Sequence, residues 1–135
     1  MEIIISKVES IQRCIKRVLE EYDNDPANLE NFTKQDSIVL NLQRACELSI
    51  DMGNYIISKK SFKTPKTSRD VFEILADNSV IDTSLSVKLQ KMTGFRNIAV
   101  HDYQRIDLNI LKSIIENNID DFRKLIEAVL EYLKK

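Results

Sequence analysis

The stretch Asp107–Leu133, DLNILKSIIENNIDDFRKLIEAVLEYL, decides the fold class. Its apolar residues Leu108, Leu111, Ile114, Ile115, Ile119, Phe122, Leu125, Ile126, Val129 and Leu133 recur mainly at intervals of three and four. That spacing lines them along one face of an α-helix. Asp107 in front is a good N-cap, because its carboxylate accepts from N–H groups that the first helical turn leaves free.

The same periodicity returns toward the N-terminus. Ile4, Val8, Ile11, Cys14, Ile15, Val18, Leu19 and Tyr22 predict a first helix from about Ile3 to Tyr22, ended by Asp23-Asn24-Asp25-Pro26. Thr33-x-x-Asp36 resembles a capping box with Asp in place of Glu or Gln, and predicts a second helix to about Ser58. Gly53 lies within that helix's apolar stripe and would cost about 1 kcal/mol against Ala; close helix packing compensates. Lys59–Thr67 reads as a polar, basic connector containing Pro65. Thr67-x-x-Asp70 caps a short helix to about Asn78. Asp82–Ser84 opens a fourth helix carrying Leu85, Leu89, Met92, Phe95, Ile98 and Ala99. No strand-like alternation competes. The expected fold is all-α: a single domain over residues 1–135, built as an up-and-down bundle of four long helices plus one short helix.

Composition narrows the function classes. The 135 residues suffice for a real core, and two Gly and two Pro leave few helix breakers. Twenty basic and twenty-one acidic residues give a net charge of −1, which excludes a generally basic nucleic-acid binder. Any RNA contact would use a local basic patch or one made by oligomerisation. Cys14 and Cys46 match no metal or redox spacing and read as small buried hydrophobes. No cluster carries ligand spacing, so neither metal nor cofactor is expected. No apolar run approaches a membrane span, and the N-terminal apolar segment is too short for a signal peptide, so the expected setting is the cytoplasm without membrane association.

Near the end of the fourth helix stands Arg96-Asn97-Ile98-Ala99-Val100-His101-Asp102-Tyr103, with the only histidine in the chain. Arg can hold a phosphate through two parallel hydrogen bonds, and His titrates near neutral pH. Asn97 and His101, four apart, share a helix face. Arg96 and Tyr103, seven apart, would share another. Arg96 and His101 differ by about 140° around the helix axis. Either Arg96 uses its long stem, or the helix frays, or two copies of the helix meet in a homodimer and share one site. A lone histidine near a helix end also serves as a cap or a surface group.

The spacing R-x4-H-x-Y resembles the signature of the HepT-like ribonuclease toxins, a branch of the HEPN superfamily. Met92-Thr93-Gly94-Phe95 and Gln35–Glu47 are similar to the same branch. The resemblance implies a HEPN-like homodimer acting as a metal-independent endoribonuclease toxin of a type VII toxin–antitoxin pair. It implies Arg96 and His101 as catalytic residues, with Asn97 and Tyr103 supporting them or binding substrate. It further implies an MntA-like nucleotidyltransferase antitoxin as partner, inactivating the toxin by adding AMP to Tyr103. The rival reading is a non-catalytic helical partner that binds and regulates a nucleotidyltransferase; the near-neutral charge favours it, the intact motif the first. A generic nucleotide-binding module ranks last, for want of a Gly-rich phosphate loop.

Overall fold

The computed structural model describes every residue from Met1 to Lys135. Helix α1 spans Glu2–Tyr22 and buries Ile4, Val8, Ile11, Cys14, Ile15, Val18 and Tyr22. It stops where Asp23 turns into the left-handed region, at φ 49°. A short 3₁₀ turn, Pro26–Glu30, leads into α2, Phe32–Lys59. Helix α3 covers Ser68–Asp77 and α4 covers Thr83–His101. After a second 3₁₀ turn at Tyr103–Arg105, α5 (Leu108–Ser113) and α6 (Ile119–Lys134) close the chain. The fold is all-α, and no strand is present.

Most predicted caps are present. Thr67 and Asp70 form a reciprocal capping box, Asp82 accepts from the Leu85 N–H at 2.7 Å, and Asp107 accepts from Asn109 N–H at 2.8 Å. The expected box at Thr33 and Asp36 is not. Asn31 caps α2 instead, accepting from the Lys34 N–H at 3.0 Å, so the helix begins at Phe32. Asn is at least as good an N-cap as Thr, and it lies two residues earlier. Asp36 is thereby left on the helix flank for another partner. The last helix also departs from expectation, because a π-turn at Ile114–Asn118 divides it into α5 and α6. The buried Tyr22 hydroxyl donates to Glu116 inside that turn, tying it to α1.

One continuous hydrophobic cluster runs through all the helices, with Phe72, Phe122, Leu42, Ile56, Leu89 and Leu125 among its fully buried members. Each such side chain contributes roughly 1.5–3 kcal/mol of burial. Cys14 and Cys46 are both buried and unpaired. Leu19, expected inside, is exposed. Gly53 provides the predicted close packing: a Cβ there would stand 2.4 Å from Cγ1 of Val71, so α3 rests directly on the α2 backbone.

These contacts fix where α4 ends. Cys46 meets the Met92 carbonyl at 3.8 Å, and the Ser86 hydroxyl donates to the Phe72 carbonyl at 2.9 Å. With Tyr103 against Asp36 and Arg96 against Ser68 further along, α4 runs antiparallel to α2 and α3. Its C-terminal end lies beside the start of both.

Candidate active site

Arg96 is half-buried where α4 passes the first turn of α3. Its Nη2 donates to the Ser68 hydroxyl at 2.9 Å, while its Nε is buried with no partner. The guanidinium has five N–H donors in a rigid fork, so one anchor still leaves donors for a phosphate. Its charge also reaches Cys46 below. Burial pushes that thiol up to about 12, and the Arg96 charge opposes the rise.

Asn97 and His101 are exposed on the flank of α4, four residues apart as expected. Helix α4 ends at His101. Asp102 follows as its C-cap, with its N–H donating to the Ile98 carbonyl at 2.8 Å. Arg105 lies 3.6 Å from the Asp102 carboxylate.

Tyr103 corrects the sequence reading. A shared face with Arg96 requires a helix continuing to residue 103, and the chain has already left the helix there. The Tyr103 side chain turns to α2 instead. Its hydroxyl donates to the Asp36 carboxylate and lies 3.4 Å from Oε1 of Gln35. Partial burial and then the Asp36 hydrogen bond and charge hold the phenol well above its ordinary value. The ring stays 38% exposed, so it is reachable from solvent.

One protomer therefore brings Arg96 to Ser68 and Tyr103 to Asp36, and leaves Asn97 and His101 facing solvent. Ser68 and Asp36 were not singled out for the site from the sequence. Ser68 follows a cap residue and carries no signal of its own, and Asp36 resembled a cap. Beside α4, an open groove of about 610 Å³ is lined by Gly94, Phe95, Ile98, Ile106 and Ile110 among others. Ile98 and Ile110 are exposed there, and a Cβ on Gly94 would meet nothing within 4 Å. No group of three or more His, Cys, Asp or Glu side chains is arranged to hold a metal ion.

A family described as "Ribonuclease HepT-like" matches residues 5–129. The chain belongs to the HepT-like ribonuclease family. It is 44% identical over 128 residues to the mRNA nuclease HepT of Shewanella oneidensis, covering 95% of this chain and 96% of that protein. It is 25% identical over 133 residues to the tRNA nuclease HepT of Aphanizomenon flos-aquae, covering 97% and 90%. The solved structure of the tri-AMPylated Shewanella oneidensis HEPN toxin in complex with MNT antitoxin superposes with a TM-score of 0.92. There the identity is 43%, with 97% of this chain and 98% of that chain covered. This HepT-like chain has no helix long and apolar enough to cross a membrane.

Proposed function

We propose that this chain, one HEPN-like domain over residues 1–135, is the toxin of a type VII toxin–antitoxin pair and a metal-independent endoribonuclease. The observation that carries the reading is the intact motif at the solvent-facing end of α4, in a chain 44% identical to an mRNA nuclease. We place its action in the cytoplasm, where RNA and ATP are both available.

RNA supplies its own nucleophile, the 2′-OH beside the scissile phosphate. His101 accepts the 2′-OH proton as the new O–P bond forms. The bond from phosphorus to the 5′-oxygen breaks, and His101 delivers a proton to that leaving oxygen. A 2′,3′-cyclic phosphate and a 5′-hydroxyl remain. Arg96 balances the charge that builds on the non-bridging oxygens, where a fixed donor stabilises the transition state more than the ground state. Asn97, one turn from His101, orients the imidazole or bonds the phosphate.

Arg96 and His101 leave α4 in different directions, and this favours a site completed by a second copy. A homodimer sets two such helices face to face by two-fold symmetry. The exposed Ile98 and Ile110 beside α4 supply apolar surface suited to that contact.

Tyr103 is the acceptor for AMP from an MntA-like nucleotidyltransferase antitoxin. The phenol oxygen attacks the α-phosphorus of ATP, pyrophosphate leaves, and the phenolic proton is released. The modified Tyr103 can no longer donate to Asp36, and its new phosphodiester anion is repelled by that carboxylate.

Expression of the chain alone, compared with His101→Ala and with co-expressed nucleotidyltransferase, tests this reading. Growth arrest that disappears in His101→Ala and with the antitoxin is expected. Equal arrest by His101→Ala would support the rival reading, a non-catalytic partner of a nucleotidyltransferase.

A further inference from the structure

We infer that the connector between α2 and α3, with the first turn of α3, is the track that binds the RNA backbone and leads it to Arg96. The inference rests on the ribonuclease reading and names the surface that holds the substrate.

From Met52 to Arg69 the sequence contains no acidic residue and five cations: Lys59, Lys60, Lys63, Lys66 and Arg69. This run stands out in a chain whose net charge is −1. Lys59 and Lys60 are engaged at the end of α2, over the rings of Tyr55 and Tyr132 at 5.6 and 5.8 Å. Lys63, Lys66 and Arg69 are exposed, and none is within ion-pair distance of a carboxylate. The acidic group that ends the run, Asp70, has an oxygen committed to the N–H groups of Lys66 and Thr67, at 3.0 and 3.2 Å.

The path of the chain gives these charges direction. After α2 the connector doubles back, with Phe62 N–H bonded to the Ile57 carbonyl at 3.0 Å. It reaches the level of Arg96 at Ser68, whose hydroxyl holds the guanidinium. The cations therefore sit at residues 63, 66 and 69 along a segment that ends against the phosphate-binding residue. Pro65 stiffens the segment by fixing its own φ. A flexible single strand carries a negative charge at every nucleotide, and a row of unpaired cations releases its counterions on binding. A folded protein partner would demand apolar anchor residues, and between Lys63 and Arg69 the segment offers only Thr, Ser and Pro beside its cations.

The test uses His101→Ala protein, which should hold RNA without cutting it, with and without Lys63→Gln, Lys66→Gln and Arg69→Gln. The probe is a fluorescein-labelled, unstructured single-stranded RNA, titrated by anisotropy across a sodium chloride series. Three lost phosphate contacts should lower the slope of log K against log salt by about 2 and weaken low-salt binding roughly ten-fold or more. The substituted side chains are exposed, and an unchanged melting curve checks the fold. Unchanged slope and affinity overturn the inference. So does unchanged RNA binding accompanied by loss of the antitoxin complex, which would make the connector a protein-docking surface. Failure of the His101→Ala parent itself to bind RNA would instead count against the ribonuclease reading.

Discussion

The Tyr103 hydroxyl donates to the Asp36 carboxylate, 67 residues away in sequence, and pins the segment after α4 to the first turns of α2. Asp36→Asn keeps the shape and weakens the contact. The Tyr103 phenol should then ionise at lower pH, read as phenolate absorbance in an alkaline titration. RNA cleavage should fall roughly ten-fold, since small displacements near reacting groups are costly. Stability should change by only about 1 kcal/mol, as expected for one part-exposed hydrogen bond. An unchanged titration would mean that the pair does not form in solution.

Tyr103→Phe removes the proposed acceptor while keeping the ring. It should retain part of the cleavage activity and escape silencing by a nucleotidyltransferase that silences the parent. Mass spectrometry of co-expressed parent should place AMP-sized additions on the Tyr103 peptide alone. Additions on Tyr22, Tyr55 or Tyr132 would refute the assignment.

We propose Ser68 as a positioning residue that acts through Arg96. Ser68→Ala leaves the guanidinium without its one intramolecular anchor. The expected result is a fall in kcat of roughly ten-fold, with KM less affected, because a transition-state contact is loosened. Ser68→Thr keeps the hydroxyl and should restore most of the rate. A purely structural role would give no such rescue.

The two glycines should respond with opposite sign. Gly53→Ala gains helix propensity but drives a methyl into Val71, and should destabilise by about 1–3 kcal/mol. Gly94→Ala meets open space within the protomer, and should stabilise an isolated subunit by up to about 1 kcal/mol. Thermal melts of the two variants give the comparison. A fall in dimer affinity for Gly94→Ala would place that groove in the subunit contact.

Tyr22 supplies a pH dependence. Burial first, and then the Glu116 hydrogen bond and charge, push its phenol up to about 12 from 10.0. Since the folded-state value lies above the unfolded one, neutral Tyr22 contributes stability that is complete below pH 10 and lost as pH rises toward 12. Glu116→Gln should narrow that window, seen as a smaller loss of melting temperature between neutral and alkaline buffer. An unchanged alkaline loss would show that another group is responsible.

Helix order and the core were legible because burial on one side of a helix imposes a three-four spacing that survives in the sequence. Thr67, Asp82 and Asp107 were legible as caps because capping is local. The cap of α2 was misjudged for the same reason: Asn31 and Thr33 both suit the role, and only the path of the preceding 3₁₀ turn selects Asn31. Tyr103 was misplaced because its position was counted along a helix that ends two residues sooner. The partners of the motif, Ser68 and Asp36, lie 28 and 67 residues away. No periodicity links residues so far apart; only the packing of α2 and α3 on α4 brings them together. The π-turn at Ile114–Asn118 left no mark, because the buried Leu111, Ile114, Ile115, Ile119 and Phe122 keep near-helical spacing across it.

A composite site is tested by mixing subunits. Arg96→Ala and His101→Ala homodimers should each be inactive. A heterodimer of the two retains one Arg96 and one His101 on opposite chains, and should recover part of the activity. A sedimenting monomer that still cuts RNA would rule out the shared site.

We propose His101 as the group that performs acid–base cleavage of RNA without a metal ion. Its most direct test is the rate at which purified protein cuts single-stranded RNA in EDTA, for the parent and for His101→Ala. The parent should keep full activity in chelator, and the variant should lose about 10²–10⁴-fold, the usual contribution of general acid–base catalysis. A variant within a few-fold of the parent, or a parent silenced by EDTA and restored by a divalent ion, would contradict the proposal.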